Sequence, residues 1–142
     1  GYWPDNETLI WMRDQKMRSY EMTEIHHRGM DVVLNESFKT LTDGTVGVFL
    51  SVDIDVVDPG MAPGTGTPEP GGMTSRELME AVRRICTELP IVGVDIVEVS
   101  PAYDHADITS LLANRIVLEA LSSIALRKKG GKYQPTRNLL DR

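Results

Sequence analysis

One cysteine, Cys86, is all that the 142 residues contain, and a lone thiol has no partner for an internal disulfide. A disulfide-built secreted scaffold is therefore excluded, and a reducing, cytoplasmic setting is expected. Cys86 falls in an apolar helical stripe, which makes it a buried core thiol rather than a nucleophile. No run reaches the ~18 apolar residues of a membrane span, so a soluble protein with no membrane partner is expected. Basic residues are in the minority, 15 Lys and Arg against 21 Asp and Glu, for a net charge of −6. They are not gathered into the clusters that a nucleic-acid footprint requires, and no nucleic-acid partner is expected. The acidic balance is compatible with a cationic substrate, but it is also that of an ordinary solvated surface. The opening Gly1-Tyr2-Trp3-Pro4-Asp5 has neither the basic nor the apolar region of a signal peptide, and no initiator Met. The chain is accordingly expected to begin inside a longer protein. There are no internal repeats and no low-complexity tract.

What the sequence does contain is an alternation of helical and strand patterns. Asn6 to Lys16 reads as a first helix with Leu9, Ile10 and Met12 apolar, and Arg18 to Met22 as a short strand. Thr23 is placed to cap a helix running towards Leu41, which Thr42-Asp43-Gly44 ends with turn chemistry. Val46 to Val52 is a short β-rich apolar run stopping at acids, the pattern of a buried parallel strand. Asp58 to Gly72 is too dense in Pro and Gly for a regular element, and so long a loop inside a compact domain is usually functional. Thr74-Ser75-Arg76-Glu77 is a capping box. Behind it Leu78, Met79, Val82, Ile85, Cys86 and Leu89 recur at helical spacing, and Pro90 closes the helix. Ile91 to Val97 reads as a second buried strand ending at Glu98, and Asp107 as the cap of a last helix through Leu111, Leu112, Ile116, Leu121 and Ile124. The basic end Arg127-Lys128-Lys129 suits that helix's C-terminal dipole, and the tail after Gly130 is expected to fray.

Strands alternating with helices predict an α/β fold with a largely parallel sheet, whose ligands bind outside the carboxyl ends of the strands. Asp53, Asp55 and Glu98 sit at those ends. In an extended strand Asp53 and Asp55 would share a face. Side by side, with Asp58 nearby, they repel one another unless protonated or holding a cation, and hard oxygen ligands suit Mg²⁺, Ca²⁺ or Mn²⁺. Spacing alone leaves other readings open. The acids could be turn and cap residues. An apolar strand ending in Asp-x-Asp also resembles the nucleophile motif of haloacid-dehalogenase-type phosphatases, with the first Asp attacking phosphorus.

The loop separates these readings. Asp53-Ile54-Asp55-Val56-Val57-Asp58-Pro59-Gly60-Met61-Ala62-Pro63-Gly64-Thr65-Gly66-Thr67-Pro68-Glu69-Pro70-Gly71-Gly72 closely resembles the signature of the ureohydrolases: arginases, agmatinases, guanidinobutyrases, formiminoglutamases and proclavaminate amidinohydrolases. The wording Gly-Thr-Gly-Thr-Pro-Glu-Pro-Gly-Gly looks more like agmatinase than arginase. Gly93-Val94-Asp95-Ile96-Val97-Glu98-Val99-Ser100-Pro101 is similar to the family's second conserved strand, and Gly1-Tyr2-Trp3-Pro4 to an agmatinase or amidinohydrolase segment.

The resemblance implies an arginase-like three-layer fold, a mostly parallel sheet flanked by helices, of which residues 1–129 are the C-terminal half and 130–142 a tail. It implies a binuclear Mn²⁺ centre at which Asp53 bridges the metals and Asp55 is a terminal ligand, both serving catalysis. Glu98 would face the substrate guanidinium, and Thr67 would orient that glutamate. The reaction implied is hydrolysis of a linear guanidino compound, agmatine or guanidinobutyrate, to urea and an amine. A homo-oligomer, trimer or hexamer, is implied as well. The family's remaining ligands, a histidine in Gly-Gly-Asp-His and an Asp-x-His-x-Asp segment, are absent from this sequence. His26 and His27 read as surface residues and His105 as a polar loop residue. Two aspartates leave two metals under-coordinated, which keeps a third reading open: a non-catalytic, truncated homologue.

Overall fold

The computed structural model describes residues 4–135. Gly1 to Trp3, part of the segment compared above, and residues 136–142 of the expected tail lie outside the described residues. Two strands, β1 (Val48–Asp53) and β2 (Ile91–Val97), pair in parallel. Beyond an irregularity at Val48/Phe49 they keep one register, from Phe49 opposite Gly93 to Asp53 opposite Val97. Parallel neighbours need a crossover. It is supplied by α4 (Ser75–Glu88), which starts at the predicted capping box: the Glu77 N–H donates to Thr74 Oγ1 at 3.1 Å, and the Thr74 N–H to Glu77 Oε2 at 2.7 Å.

The core is one cluster joining strands and helices. Val48, Val52 and Ile91 of the sheet meet Leu78, Val82, Cys86 and Leu89 of the α4 segment and Leu112, Ile116 and Ala120 of α5 (Ile108–Lys128). Burial pushes the Cys86 thiol up to about 11, in keeping with a core residue that stays protonated. Ionic clamps reinforce the helix layer. Glu119 of α5 receives the Arg83 fork from α4, Nε at 2.5 Å and Nη2 at 2.8 Å, and a bond from Arg115. Buried Arg84 reaches Asp31 and Asn35 of α3 (Met30–Thr42) and Glu88. Charge-assisted forks of this kind add geometric definition, while the cost of desolvating both partners offsets much of their attraction. The opposite face of the two strands is uncovered among the described residues: Phe49 is 61% exposed, and Ser51 and Asp95 are open. The described residues thus supply the parallel sheet and one helical layer.

Several local expectations change. The segment 18–21 forms no strand among the described residues. Arg18 instead lies over the Tyr20 ring at 3.8 Å and pairs with Glu24, and α2 (Met22–Arg28) begins at its end. Thr23 therefore sits inside the first turn of α2 rather than capping it, and Gly29, with φ +86°, divides the expected single helix into α2 and α3. Helix α1 (Asn6–Asp14) stops two residues early as Lys16 enters the left-handed region, and Val46, fully exposed, precedes β1. The start of the tail is not frayed: Tyr133 is half-buried and donates to Glu80 Oε2 at 3.0 Å. Finally, α5 has 21 residues, of which a stretch of 18 reaches a mean hydropathy of 1.3, and it is long and apolar enough to cross a membrane by length and composition. The absence of an uninterrupted apolar run did not anticipate this. Its Arg115 and Glu119, however, are engaged in the clamp with α4.

Ile116 has no exposure and belongs to the core cluster that joins the strands and helices. Ile116→Ala is expected to lower the unfolding free energy by about 2–5 kcal/mol, read from the urea midpoint at constant slope.

Candidate active site

The strand register sets the site. Asp53 is the last residue of β1, and Glu98 follows β2 directly. Asp55, expected on the strand face of Asp53, is not in the strand at all. The chain enters a 3-10 turn, Ile54–Val56, and Asp53 Oδ1 accepts the Asp55 N–H at 3.2 Å. The two carboxylates are therefore brought together by a turn. Burial pushes the Asp53 carboxyl above its ordinary value; the Asp55 N–H pulls it down, and the charges of Asp55 and Glu98 push it up again. Three acids thus act on one another at the carboxyl end of the sheet. Glu98 stands exposed with φ +62°, a backbone conformation uncommon outside glycine and found where function requires strain.

Asp58 does not join this group. Its carboxylate accepts the Gly60 N–H at 2.8 Å and the Gly71 N–H at 2.9 Å, closing the ends of the Pro/Gly-rich loop. The Gly71 donor first, then that of Gly60, hold it below the usual carboxylate value. At the neck of the loop Val57 bridges Met73, and Gly72 lies so close that a Cβ would come within 2.6 Å of the Val56 carbonyl oxygen.

The middle of the loop is pinned to the rest of the fold through Gly64. Its N–H donates to Thr109 Oγ1 at 2.8 Å, its carbonyl accepts the Ser100 N–H at 2.8 Å, and a Cβ there would meet Asp104 at 2.7 Å. Asp104 in turn accepts the N–H groups of His105, Thr109 and Ser110 at 2.9, 3.1 and 3.0 Å. Burial pushes the Asp104 carboxyl up, but the donors of Ser110, Thr109 and His105 outweigh it and hold the group well below the usual range. Asp104, not Asp107, therefore serves the start of α5; Asp107 occupies the N-cap position in a left-handed conformation with no side-chain cap bond among the described residues. An Asp immediately before a helix is the ordinary cap signal, and the reach of Asp104 across five residues has no such short-range signature.

Pinned in this way, the loop presents Thr67 and Gly66 to the acids. Thr67 Oγ1 donates to Asp55 Oδ2 at 2.8 Å, whereas the resemblance pairs this threonine with Glu98. It is Gly66 whose Cβ position lies 4.0 Å from Glu98 Oε2. The side chains of His26, His27 and His105 are on the surface, as expected, and His105 contributes its backbone N–H to Asp104.

Asp53 and Asp55 are hard oxygen donors whose mutual repulsion a divalent cation would relieve, so they fit Mn²⁺ as part of a ligand set. Among the described residues no group of three or more His, Cys, Asp or Glu is placed to hold an ion.

A family model described as the arginase family matches residues 3–122. A proclavaminate amidinohydrolase of Streptomyces clavuligerus is 58% identical over 125 residues, 88% of this chain and 39% of that protein. An agmatinase of Chromobacterium violaceum is 40% identical over 107 residues, 75% of this chain and 32% of that protein. The crystal structure of formimidoylglutamase from Bacillus subtilis superposes with a TM-score of 0.81 at 32% identity, covering 87% of this chain and 39% of that one. The chain thus spans between about a third and two fifths of the length of these relatives.

A carboxyl held below its unfolded value contributes stability above about pH 4, and that contribution is lost as pH falls through the folded value. Asp104→Asn lacks it at every pH. Urea unfolding is expected to show the variant weaker at pH 7, with the gap to the parent narrowing at pH 3.

Proposed function

The chain belongs to the arginase family, and from that premise we propose that it carries part of the active site of a manganese-dependent amidinohydrolase, which splits a linear guanidino compound into urea and an amine. The observation that carries the reading is the meeting of Asp53, Asp55 and Glu98 at the ends of two parallel strands, beneath the pinned loop. Agmatine and guanidinobutyrate are the substrates proposed first. The likeness to relatives named agmatinase and proclavaminate amidinohydrolase supports the chemical class, a guanidinium on a flexible arm.

Each residue has a task in this scheme. Asp53 and Asp55 would hold the manganese, with the remaining ligands supplied from outside the described residues. When bound, such a metal pair supplies Lewis acidity and an activated water at neutral pH. Glu98 is exposed, and a carboxylate there accepts paired hydrogen bonds from a planar guanidinium. Its backbone, with φ +62°, departs from the extended conformation of the strand that precedes it. Gly66 leaves the space beside Glu98 Oε2 open, where a side chain would stand in the way of a flat cation. The net charge of −6 favours the approach of such a cation. The proposal extends, on family resemblance alone, to a homo-oligomer, a trimer or hexamer, and, on the single cysteine, to a cytoplasmic setting.

The phosphatase reading is not supported, since the loop that separates the two chemistries lies within the segment matched to the arginase family. A non-catalytic homologue is the second reading, favoured by the absence of a three-residue ligand group among the described residues.

Metal analysis of the Mn²⁺-loaded, dialysed protein, paired with urea release from agmatine and guanidinobutyrate, separates the two. Retained manganese with urea formed is expected, and Asp53→Ala should abolish both signals. Retention of neither by the protein carrying this chain would leave the non-catalytic reading standing.

A further inference from the structure

Thr67 stands in the middle of a loop built to hold it still. Asp58 accepts the N–H groups of Gly60 and Gly71, which ties the two ends of the loop together. Gly64 is fastened to Thr109 and Ser100, three residues ahead of Thr67. Pro68 follows directly, and a residue before proline is confined to extended backbone. A β-branched side chain is also stiff at χ1. The hydroxyl so presented donates to Asp55 Oδ2 at 2.8 Å. Asp55 itself sits in a 3-10 turn, and its own N–H is spent on Asp53 Oδ1. One chain of hydrogen bonds therefore runs from the rigid loop through the Asp55 carboxylate and backbone to Asp53.

From this geometry we infer that Thr67 is a positioning residue of the metal site: by fixing one oxygen of Asp55 it sets the orientation in which that carboxylate meets the cation. The inference deepens the proposed function and rests on its assignment of Asp55 to the metal. It differs from the role that the family resemblance gives this threonine, where its partner is the substrate-facing glutamate. The chemistry favours the metal side. A carboxylate ligand whose second oxygen is held by a neutral hydroxyl keeps its charge for the cation while losing its freedom to rotate. Removing an outer-shell partner of this kind typically costs 10–100-fold in metal affinity.

The test uses the full-length protein that carries this chain, with Mn²⁺ titrated into the metal-free form and free Mn²⁺ read by electron paramagnetic resonance. Thr67→Val keeps the shape and the branch but loses the donor; Thr67→Ser keeps the donor. Thr67→Val is expected to bind Mn²⁺ about 10–100-fold more weakly. Thr67→Ser should remain close to the parent, and at saturating Mn²⁺ KM for the guanidino substrate should be unchanged. Parent-like Mn²⁺ affinity in Thr67→Val would overturn the inference. If KM rose at the same time, the hydroxyl would belong to Glu98 and the substrate instead. Equal losses in both variants would also overturn it, because the hydroxyl would then not be the operative group. A parent that binds no Mn²⁺ sinks the metal reading and the inference together. A parent that binds Mn²⁺ and is weakened by Thr67→Val, yet releases no urea from guanidino compounds, overturns the proposed reaction and leaves the role of Thr67 standing.

Discussion

The parallel register of β1 and β2 is the constraint on which the rest of this structure depends. With Asp53 opposite Val97, the acid that ends one strand stands one residue short of the acid that follows the other. A slip of one residue would turn every side chain of a strand to the other face. It would carry Asp53 towards the core side occupied by Val52 and bring Val52 into its place. Two features hold the pairing. The helix between the strands is fixed at its start by the reciprocal Thr74–Glu77 cap. Across the open face, the Phe49 ring lies so close to Gly93 that a Cβ there would come within 2.7 Å of it. Glycine at that strand position is a place for a neighbour's side chain to lie.

From the register upward, the site is assembled by turns and by strain. Glu98, Ala106 and Asp107 all adopt left-handed backbone without being glycine, and all three lie between the end of β2 and the start of α5. Each such residue costs of order 1–3 kcal/mol, so the surroundings must over-determine the conformation. The surroundings here are Asp104 and Gly64. Asp104 gathers the N–H groups at the start of α5, satisfying donors that a helix end leaves open, and Gly64 ties the long loop to the same place. One carboxylate thereby stabilises both the strained connection and the loop carrying Thr67. This explains why an acid in that position is not available for a ligand, although it lies close in sequence to Glu98.

The parts of the fold that follow from local pattern were legible in the sequence: β2 within its observed bounds, the capped helix α4, and the Pro/Gly-rich stretch before α4 as a loop rather than a regular element. What was not legible depends on contacts between residues far apart or on single backbone angles. The division of α2 from α3 hangs on the left-handed conformation of Gly29, which an apolar pattern does not reveal. Asp107 looked like the cap because propensity rules see only the adjacent residue, whereas Asp104 reaches Ser110, six residues on. Asp55 was placed on a strand face because a period of two carries no signal for where pairing stops, and the 3-10 turn begins at Ile54. Asp58 looked like a fourth member of an acidic cluster, yet two glycine N–H groups hold it away in its own loop. For the aspartates, charge and spacing were visible while the hydrogen-bond partner was not.

The exposed sheet face and the placement of Asp53 have a common geometric origin. Side chains alternate along a strand, so Phe49, Ser51 and Asp53 project from the same side of β1. That side faces away from α4 and α5 and is uncovered among the described residues. Covering it requires further apolar side chains against Phe49. An element packed there at the usual distance of about 10 Å runs past the Asp53 end of the strand as well. The same is true of α5, whose apolar residues lie on both its buried and its exposed sides: Leu112 and Ile116 inside, Leu111 and Leu121 outside. The exposed leucines of α5 present apolar surface for a neighbouring element to cover. The surface left open and the carboxylate of Asp53 are therefore on the same side of the same strand, and whatever polypeptide covers the first comes within reach of the second.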